Sequence, residues 1–218
     1  MQSRLIHAWL EFRQQRDHSK FVIAILDYGS GNLRSAARAF ATSGHEVILT
    51  SDSRIALEAV GLVVPGVGAF KACMKGITAV GGDNIIRLRK EKERPTLGIC
   101  IGMQILFKDS DEDGISAGIG LWPTSVRKLV APILPHMGWN TINSDSQSQL
   151  FTGIEDESFY FVHSYAAQNV PDAINSLSTH GTPFLAAVED GTLSATQFHP
   201  EKSGRAGLAL IKNWSSTL

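Results

Sequence analysis

The chain has 218 residues, 43% of them hydrophobic and 19% charged, and its 20 basic against 21 acidic side chains leave a net charge of −1. This length and composition predict one ordinary globular domain that buries a full core without disulfides or metals. The balanced charge is unlike that of a nucleic-acid binder, which needs basic side chains to neutralise phosphates. The two cysteines lack zinc-type spacing, and no apolar run reaches the about 18 residues of a membrane span. We therefore expect no metal site, no nucleic-acid partner and no membrane contact.

Residues 1–20 differ in character from the rest of the chain. They carry four basic side chains, and their apolar stretch is interrupted by His7 and Glu11. That pattern is a poor secretory signal. We expect a poorly ordered or helical N-terminal extension, or a start codon placed too early, followed by one domain over residues 21–218 in the cytoplasm.

The first half of the domain alternates apolar runs with helical patterns. Helices are predicted at 33–43, 51–58, 70–92 (interrupted at Gly81-Gly82) and 101–108, and strands at 21–26, 46–50, 61–64 and 95–99. Continuous apolar runs are typical of parallel strands buried on both faces. The alternation predicts a doubly wound, mostly parallel α/β sheet.

The second half of the domain contains strand patterns with few helices between them. Strands are predicted at 159–165, 184–188 and 193–198, and a closing helix at 204–214. We expect these strands to form an antiparallel extension of the same sheet.

One short segment has the form of a nucleophile elbow. Gly98-Ile99-Cys100-Ile101-Gly102 lies between a predicted strand and a predicted helix, and glycines permit the tight turn that such an elbow needs. A helix N-terminus stabilises a thiolate and offers free N–H groups to an oxyanion. A small buried cysteine with packing glycines fits the local pattern equally well. Cys73 has no such setting, and we expect a structural role for it.

A candidate base follows the last predicted strand, in His199-Pro200-Glu201. In an extended segment, residues i and i+2 project to the same side, so Glu201 could orient the imidazole of His199. Cys100 and His199 would then meet across neighbouring strand ends. On its own, the segment fits an ordinary surface turn as well.

Two glycine-containing loops end other strands. Pro65-Gly66-Val67-Gly68 lets backbone N–H groups approach a ligand and complete an oxyanion hole, or it is a simple strand-ending turn. The loop at 27–32 is similar to a dinucleotide-binding loop, but Arg34 replaces the third glycine. We therefore expect no cofactor.

Together and in this order, the elbow, the Pro-Gly-x-Gly strand end and the late His-Pro-Glu resemble the class I glutamine amidotransferases. Further segments resemble the branch whose glutaminase subunits feed ammonia to a (β/α)₈-barrel cyclase in histidine biosynthesis. They are residues 27–32, 98–104, 135–140, 160–165 and 197–203. The likeness spans about residues 21–214, and the elbow departs from the family by carrying Ile101 in place of Leu.

The resemblance implies hydrolysis of L-glutamine to glutamate and ammonia. It implies Cys100 as the nucleophile, His199 as the base and acid, and Glu201 as the group that holds the imidazole. The implied oxyanion donors lie at Gly66, Val67, Gly68 and Ile101. The implied glutamine contacts are Gln104, Glu112, Ser164 and Tyr165, and the implied cyclase contacts are Met137, Trp139, Asn140 and Lys202.

Three alternatives remain open. The chain could feed ammonia to another synthase, although the segment at 135–140 favours the cyclase. It could be a cysteine hydrolase on the same scaffold, or a module without catalysis, although intact Cys100, His199 and Glu201 disfavour the latter. We also expect the isolated chain to be nearly inactive, with misaligned donors at 65–68 that a partner and its nucleotide ligand would shift.

Overall fold

The structure, a computed structural model, describes residues 22–218, so the prediction for residues 1–20 lies outside the described residues. The strands are β1 (Val22–Leu26), β2 (Glu46–Thr50), β3 (Gly61–Gly66), β4 (Thr96–Cys100), β5 (Asp109–Ser110), β6 (Ser116–Ala117), β7 (Arg127–Lys128), β8 (His136–Thr141), β9 (Ser158–His163), β10 (Tyr165–Ala166), β11 (Ile174–His180), β12 (Thr182–Asp190) and β13 (Leu193–Thr196). The helices are α1 (Leu33–Ala41), α2 (Ser53–Glu58), α3 (Phe70–Ala79), α4 (Gly82–Glu91), α5 (Ile101–Gln104) and α6 (Gly204–Ser215). A 3₁₀ turn spans Pro200–Lys202.

Seven strands form the main sheet in the order β11-β12-β13-β4-β3-β1-β2. The five strands from β13 to β2 run parallel, and β12 and β11 extend the sheet antiparallel. This arrangement confirms the predicted doubly wound, mostly parallel sheet with an antiparallel extension. The carboxyl ends of β3, β4 and β13 meet at one edge, which is where ligands bind in open α/β sheets.

The helices cover both faces of the sheet. Helices α1 and α6 contact each other through Phe40 and Trp214, whose rings meet edge to face at 5.7 Å, while α4 contacts α2 and α3. The core strands β1 and β4 are buried along their whole length. Within residues 22–218, no helix is long and apolar enough to cross a membrane.

Three predicted elements differ from the structure. The strand predicted at 193–198 was wrongly assigned to the antiparallel extension, because β13 pairs parallel with β4 and only its other edge meets an antiparallel strand, β12. The strand predicted at 159–165 was wrongly placed in the main sheet, because β9 instead pairs with β8 in a separate antiparallel hairpin. Its buried residues alternate with half-exposed ones, as in a strand with only one covered face. The helix predicted at 101–108 ends at Gln104, because the carbonyls of Ile105, Leu106 and Phe107 accept N–H groups from residues 119–121.

The break predicted at Gly81-Gly82 is confirmed. Helix α3 ends at Ala79 and α4 begins at Gly82, and Gly81 between them has φ 67°, a conformation that glycine adopts at little cost. Helix α4 thereby turns a buried basic side chain, Arg89, toward α2.

Arg89 is fully buried. Among residues 22–218, its guanidinium group donates to neutral oxygens alone. The acceptors are the carbonyls of Ala56, Leu57, Ala59 and Pro95 and the hydroxyl of Thr96. Burial, and next the charge of Arg94, lower the pKa of Arg89 to about 9, so it stays charged at neutral pH. The side chain thus closes the C-terminal end of α2.

Replacement of Arg89 by methionine should lower the free energy of unfolding by about 3 kcal/mol or more, because several buried carbonyls lose their donor together. Urea denaturation followed by circular dichroism measures the change. Arg38→Met, at an exposed position on α1, is the matched control and should change stability by less than about 0.5 kcal/mol. Equal stabilities of the two variants would contradict this role for Arg89.

Candidate active site

The predicted strand–turn–helix around Cys100 is present at the carboxyl edge of the sheet. Gly66, the last residue of β3, lies beside Cys100, the last residue of β4. Cys100 has φ 57° and ψ −111°, a conformation that costs a non-glycine residue about 1–3 kcal/mol. A side chain at Gly102 would overlap the carbonyl oxygen of Val64. The glycines therefore let α5 begin directly after the strand and hold the cysteine in a strained turn.

The other two candidate catalytic side chains form a buried pair beside the elbow. His199 Nδ1 lies 2.8 Å from Glu201 Oε1, and the two side chains are only 2% and 4% exposed. Burial lowers the pKa of His199, but its interactions with the Cys100 and Glu201 side chains outweigh burial and raise that pKa to about 9. At neutral pH, His199 is therefore an imidazolium next to the cysteine sulfur.

Two glutamine side chains lie behind Cys100. Gln104 Nε2 donates to Gln197 Oε1 at 2.9 Å and to the carbonyl of Tyr165 at 2.8 Å. Gln197 Nε2 lies 3.8 Å from Cys100 Sγ. Gln197 was not among the predicted site residues, although its position two residues before His199 places both on the same side of an extended segment.

The Pro65-Gly66-Val67-Gly68 strand end is held by the loop that follows β1. The Tyr28 hydroxyl donates to the Pro65 carbonyl. Ser30 Oγ accepts the N–H of Val67 at 3.1 Å and donates to the Val67 carbonyl at 2.8 Å. The Cys73 thiol lies 3.3 Å from the same carbonyl. The loop at 27–32 thus braces the strand end, and the Val67 N–H points to Ser30.

A cavity of about 360 Å³ opens in front of Cys100. Most of the predicted site residues line it, namely Cys100, His199, Val67, Gly68, Ile101, Gln104, Glu112, Ser164, Tyr165 and Lys202. Glu201 lies behind His199, and Gly66 packs against Gly102 beneath the elbow. Glu112 Oε2 also accepts the Phe70 N–H at 2.7 Å. Residues from five separate segments therefore meet at one cavity.

Three of the four residues predicted to contact a partner lie on β8, on its two opposite faces. Met137 and Trp139 are 63% and 60% exposed. Asn140 projects to the opposite face, where its amide donates to the Thr179 carbonyl at 2.9 Å. Lys202 is exposed at the cavity.

Comparison with known proteins identifies the family. The family described as "Glutamine amidotransferase class-I" matches residues 24–216. The chain belongs to the class I glutamine amidotransferases. It is therefore a glutamine-hydrolysing enzyme subunit, as the resemblance implied.

Individual curated proteins of one kind are similar to this chain over most of its length. "Imidazole glycerol phosphate synthase subunit HisH" of Mycolicibacterium paratuberculosis is 56% identical over 201 residues, which cover 90% of this chain and 98% of that protein. The protein of the same name from Thermobifida fusca is 54% identical over 207 residues, with 90% and 98% covered. This amidotransferase therefore shares more than half of its sequence with HisH subunits along nearly their whole length.

Solved structures agree on the fold. A structure described as "Crystal structure of glutamine amidotransferase" superposes with a TM-score of 0.70 at 18% identity, covering 88% of this chain and 98% of that one. "Structure of PurLQS from Thermotoga maritima" gives a TM-score of 0.69 at 17% identity, with 91% and 99% covered. Across residues 22–218, no group of three or more His, Cys, Asp or Glu side chains has the arrangement of a metal site.

Proposed function

We propose that this chain is the glutaminase subunit of an imidazole glycerol phosphate synthase and passes ammonia from L-glutamine to a cyclase subunit. The observation that carries the proposal is the strained Cys100 beside the buried His199–Glu201 pair, at the mouth of a cavity that holds the other predicted glutamine contacts. The identity to HisH subunits supports the choice of synthase over other ammonia acceptors.

The first half of the reaction forms a thioester. Cys100 Sγ, having given its proton to His199, attacks the amide carbon of glutamine, and the carbonyl electrons move to oxygen. The tetrahedral intermediate collapses, the C–N bond breaks, and the His199 imidazolium gives its proton to the departing ammonia. The covalent intermediate divides one difficult amide cleavage into two easier steps.

Water completes the cycle. Neutral His199 takes a proton from a water molecule as the oxygen attacks the thioester carbon. When the C–S bond breaks, glutamate leaves and the thiolate–imidazolium pair is restored. Glu201 keeps its negative charge throughout and stabilises the imidazolium, 2.8 Å away.

The oxyanion of both intermediates needs backbone donors. Ile101 is the first residue of α5, where N–H groups have no partner within the helix. The Val67 N–H, in contrast, donates to Ser30. We propose that this is a resting conformation and that the partner and its nucleotide ligand favour one in which the Val67 N–H faces the cavity. One donor of this kind contributes about 3–4 kcal/mol to transition-state stabilisation.

The proposed partner is a (β/α)₈-barrel cyclase subunit. Met137 and Trp139 form an exposed apolar pair on β8, and such side chains are enriched at the centre of protein interfaces. Lys202 lies at the cavity and is exposed. We propose that this side of the molecule docks on the barrel so that ammonia leaves the cavity without meeting bulk water.

Glutamate release from L-glutamine tests the proposal. The purified chain is assayed alone, with the cyclase subunit, and with the cyclase subunit and its nucleotide ligand. We expect substantial hydrolysis only in the complex. Fast hydrolysis without the partner would indicate a different amidotransferase or a cysteine hydrolase, and no hydrolysis under any condition would contradict the assignment.

Ser30→Ala tests the resting conformation in the same assay. The substitution removes both hydrogen bonds to Val67, so the partner-free rate should rise about fivefold, the equivalent of one net hydrogen bond. The rate of the fully liganded complex should change by less than about twofold, because that state no longer uses the Ser30 contact. Ser53→Ala, at an exposed position, is the control. An unchanged partner-free rate for Ser30→Ala would exclude Ser30 as the restraint.

A further inference from the structure

Two buried histidines of the β8–β9 hairpin lie next to the glutamine site but take no part in the proposed chemistry. His136 and His163 are 4% and 6% exposed. His136 Nδ1 lies 3.0 Å from His163 Nε2, and His163 Nδ1 lies 3.0 Å from the Tyr165 carbonyl oxygen. Burial lowers the pKa of His136 to about 4 and that of His163 to about 3. Both rings are therefore neutral at physiological pH.

The contacts at the two ends determine which nitrogen of each ring carries the proton. The Tyr165 carbonyl can only accept, so His163 Nδ1 must be protonated and His163 Nε2 must accept. His136 Nδ1 therefore donates to His163, and His136 Nε2 accepts from the Asn140 amide at 3.3 Å. Each group therefore donates to the next one in the order Asn140, His136, His163 and the Tyr165 carbonyl.

The Tyr165 carbonyl connects the histidine pair to a side chain that lines the cavity, Gln104. It accepts from His163 and also from Gln104 Nε2. Gln104 Nε2 donates to Gln197 Oε1 as well. If the Gln104 amide were flipped, its oxygen would face both the Tyr165 carbonyl oxygen and Gln197 Oε1, so the orientation of the amide is fixed. Gln104 Oε1 is left buried and without a hydrogen-bond partner among residues 22–218. The Gln104 side chain also lines the cavity, so the Tyr165 carbonyl holds an amide that belongs to the surface a bound amino acid would contact.

We infer that His163, held in one tautomer by His136, positions the glutamine-binding wall of the cavity by fixing the Tyr165 carbonyl between itself and Gln104. His163 is a positioning residue, because it acts through Tyr165 and Gln104 and exchanges no proton in the reaction. The inference rests on the proposed function, since it assigns a role in binding the substrate of that same site. It predicts an effect on glutamine affinity with little effect on the chemical step.

Three substitutions at His163 test the hydrogen bonds of its two ring nitrogens one at a time and together. The amide nitrogen of asparagine is as many bonds from Cβ as Nδ1, whereas that of glutamine matches Nε2. Phenylalanine keeps the ring and removes both hydrogen bonds. In the complex with the cyclase subunit, His163→Phe and His163→Gln should raise the KM for glutamine about tenfold and change kcat by less than about threefold. His163→Asn should keep the KM within about threefold of the wild type.

Thermal unfolding of each variant controls for misfolding. If His163→Phe does not fold, the comparison of His163→Asn with His163→Gln alone tests the inference. Equal KM values for wild type and His163→Gln, or a loss confined to kcat, would overturn the inference and leave the proposed function standing. A native complex that does not hydrolyse glutamine at all would overturn the proposed function and this inference with it.

A second readout needs no activity. Long-range ¹H–¹⁵N correlation spectra of the imidazole rings at pH 7 should show His136 and His163 neutral and protonated on Nδ1. A His163 ring that is charged, or protonated on Nε2, would overturn the inference.

Discussion

Replacement of Cys100 by alanine should lower kcat for glutamine hydrolysis by about 10⁴-fold or more, since removal of a nucleophile eliminates the covalent route. The remaining donors at Ile101 and the strand end could assist only a direct attack by water on the amide. Glutamate release by the complex with the cyclase subunit measures the loss. Circular dichroism should show an unchanged fold, because alanine occupies the same buried turn with a smaller side chain.

Cys73→Ala is the matched control, because it removes the only other cysteine of the chain. Burial raises the pKa of Cys73, so its thiol is protonated and unreactive at neutral pH. Cys73→Ala should keep hydrolysis within about tenfold of the wild type, since the nucleophile is retained. An alkylating glutamine analogue should then label Cys100 alone. Inactive Cys73→Ala with fully active Cys100→Ala would reverse the assignment of the nucleophile.

The parts of the site that could be predicted from sequence are those whose geometry is local. Glycines on both sides of Cys100 are needed because the elbow leaves no space for a side chain at Gly98 or Gly102. His199 and Glu201 meet because residues i and i+2 of an extended segment lie on one side. The parallel strands could be predicted because strands covered on both faces of a sheet have continuous apolar runs, and here each run is short and ends at a turn.

The parts that could not be predicted depend on contacts between distant segments. Ser30 and Val67 are 37 residues apart, and Gln104 and Gln197 are 93 apart, so no local pattern reveals either pair. Strand β11 carries the polar sequence INSLSTH, which has little apolar periodicity. The β8–β9 hairpin was missed because half of β8 is exposed. The Ser30–Val67 contact braces the strand end, and the β8–β9 hairpin carries the histidines proposed to position the glutamine-binding wall. The regulation and affinity of the site are therefore less visible in the sequence than its nucleophile.

Replacement of Glu201 by glutamine should lower kcat/KM at pH 7 by about 10²- to 10³-fold, within the range of general acid–base effects. The substitution keeps the size of the side chain and removes its charge, 2.8 Å from His199 Nδ1. In the wild type, burial lowers the pKa of His199, but Cys100 and Glu201 raise it to about 9. A raised pKa keeps the imidazolium present up to that pH, so activity should be lost as the pH rises through about 9.

Without the charge of Glu201, the effect of burial on His199 is less opposed, and its pKa falls. The alkaline limb of the kcat/KM profile should therefore move to lower pH in Glu201→Gln, and part of the lost activity should return as the pH is lowered. Glu46→Gln, at an exposed position on β2, should leave the profile unchanged. A Glu201→Gln profile that is lower at every pH but not displaced would mean that Glu201 orients the imidazole without stabilising its charge. A displaced limb would show that the two residues act as one electrostatic unit, in which a buried carboxylate keeps the proton available for the departing ammonia.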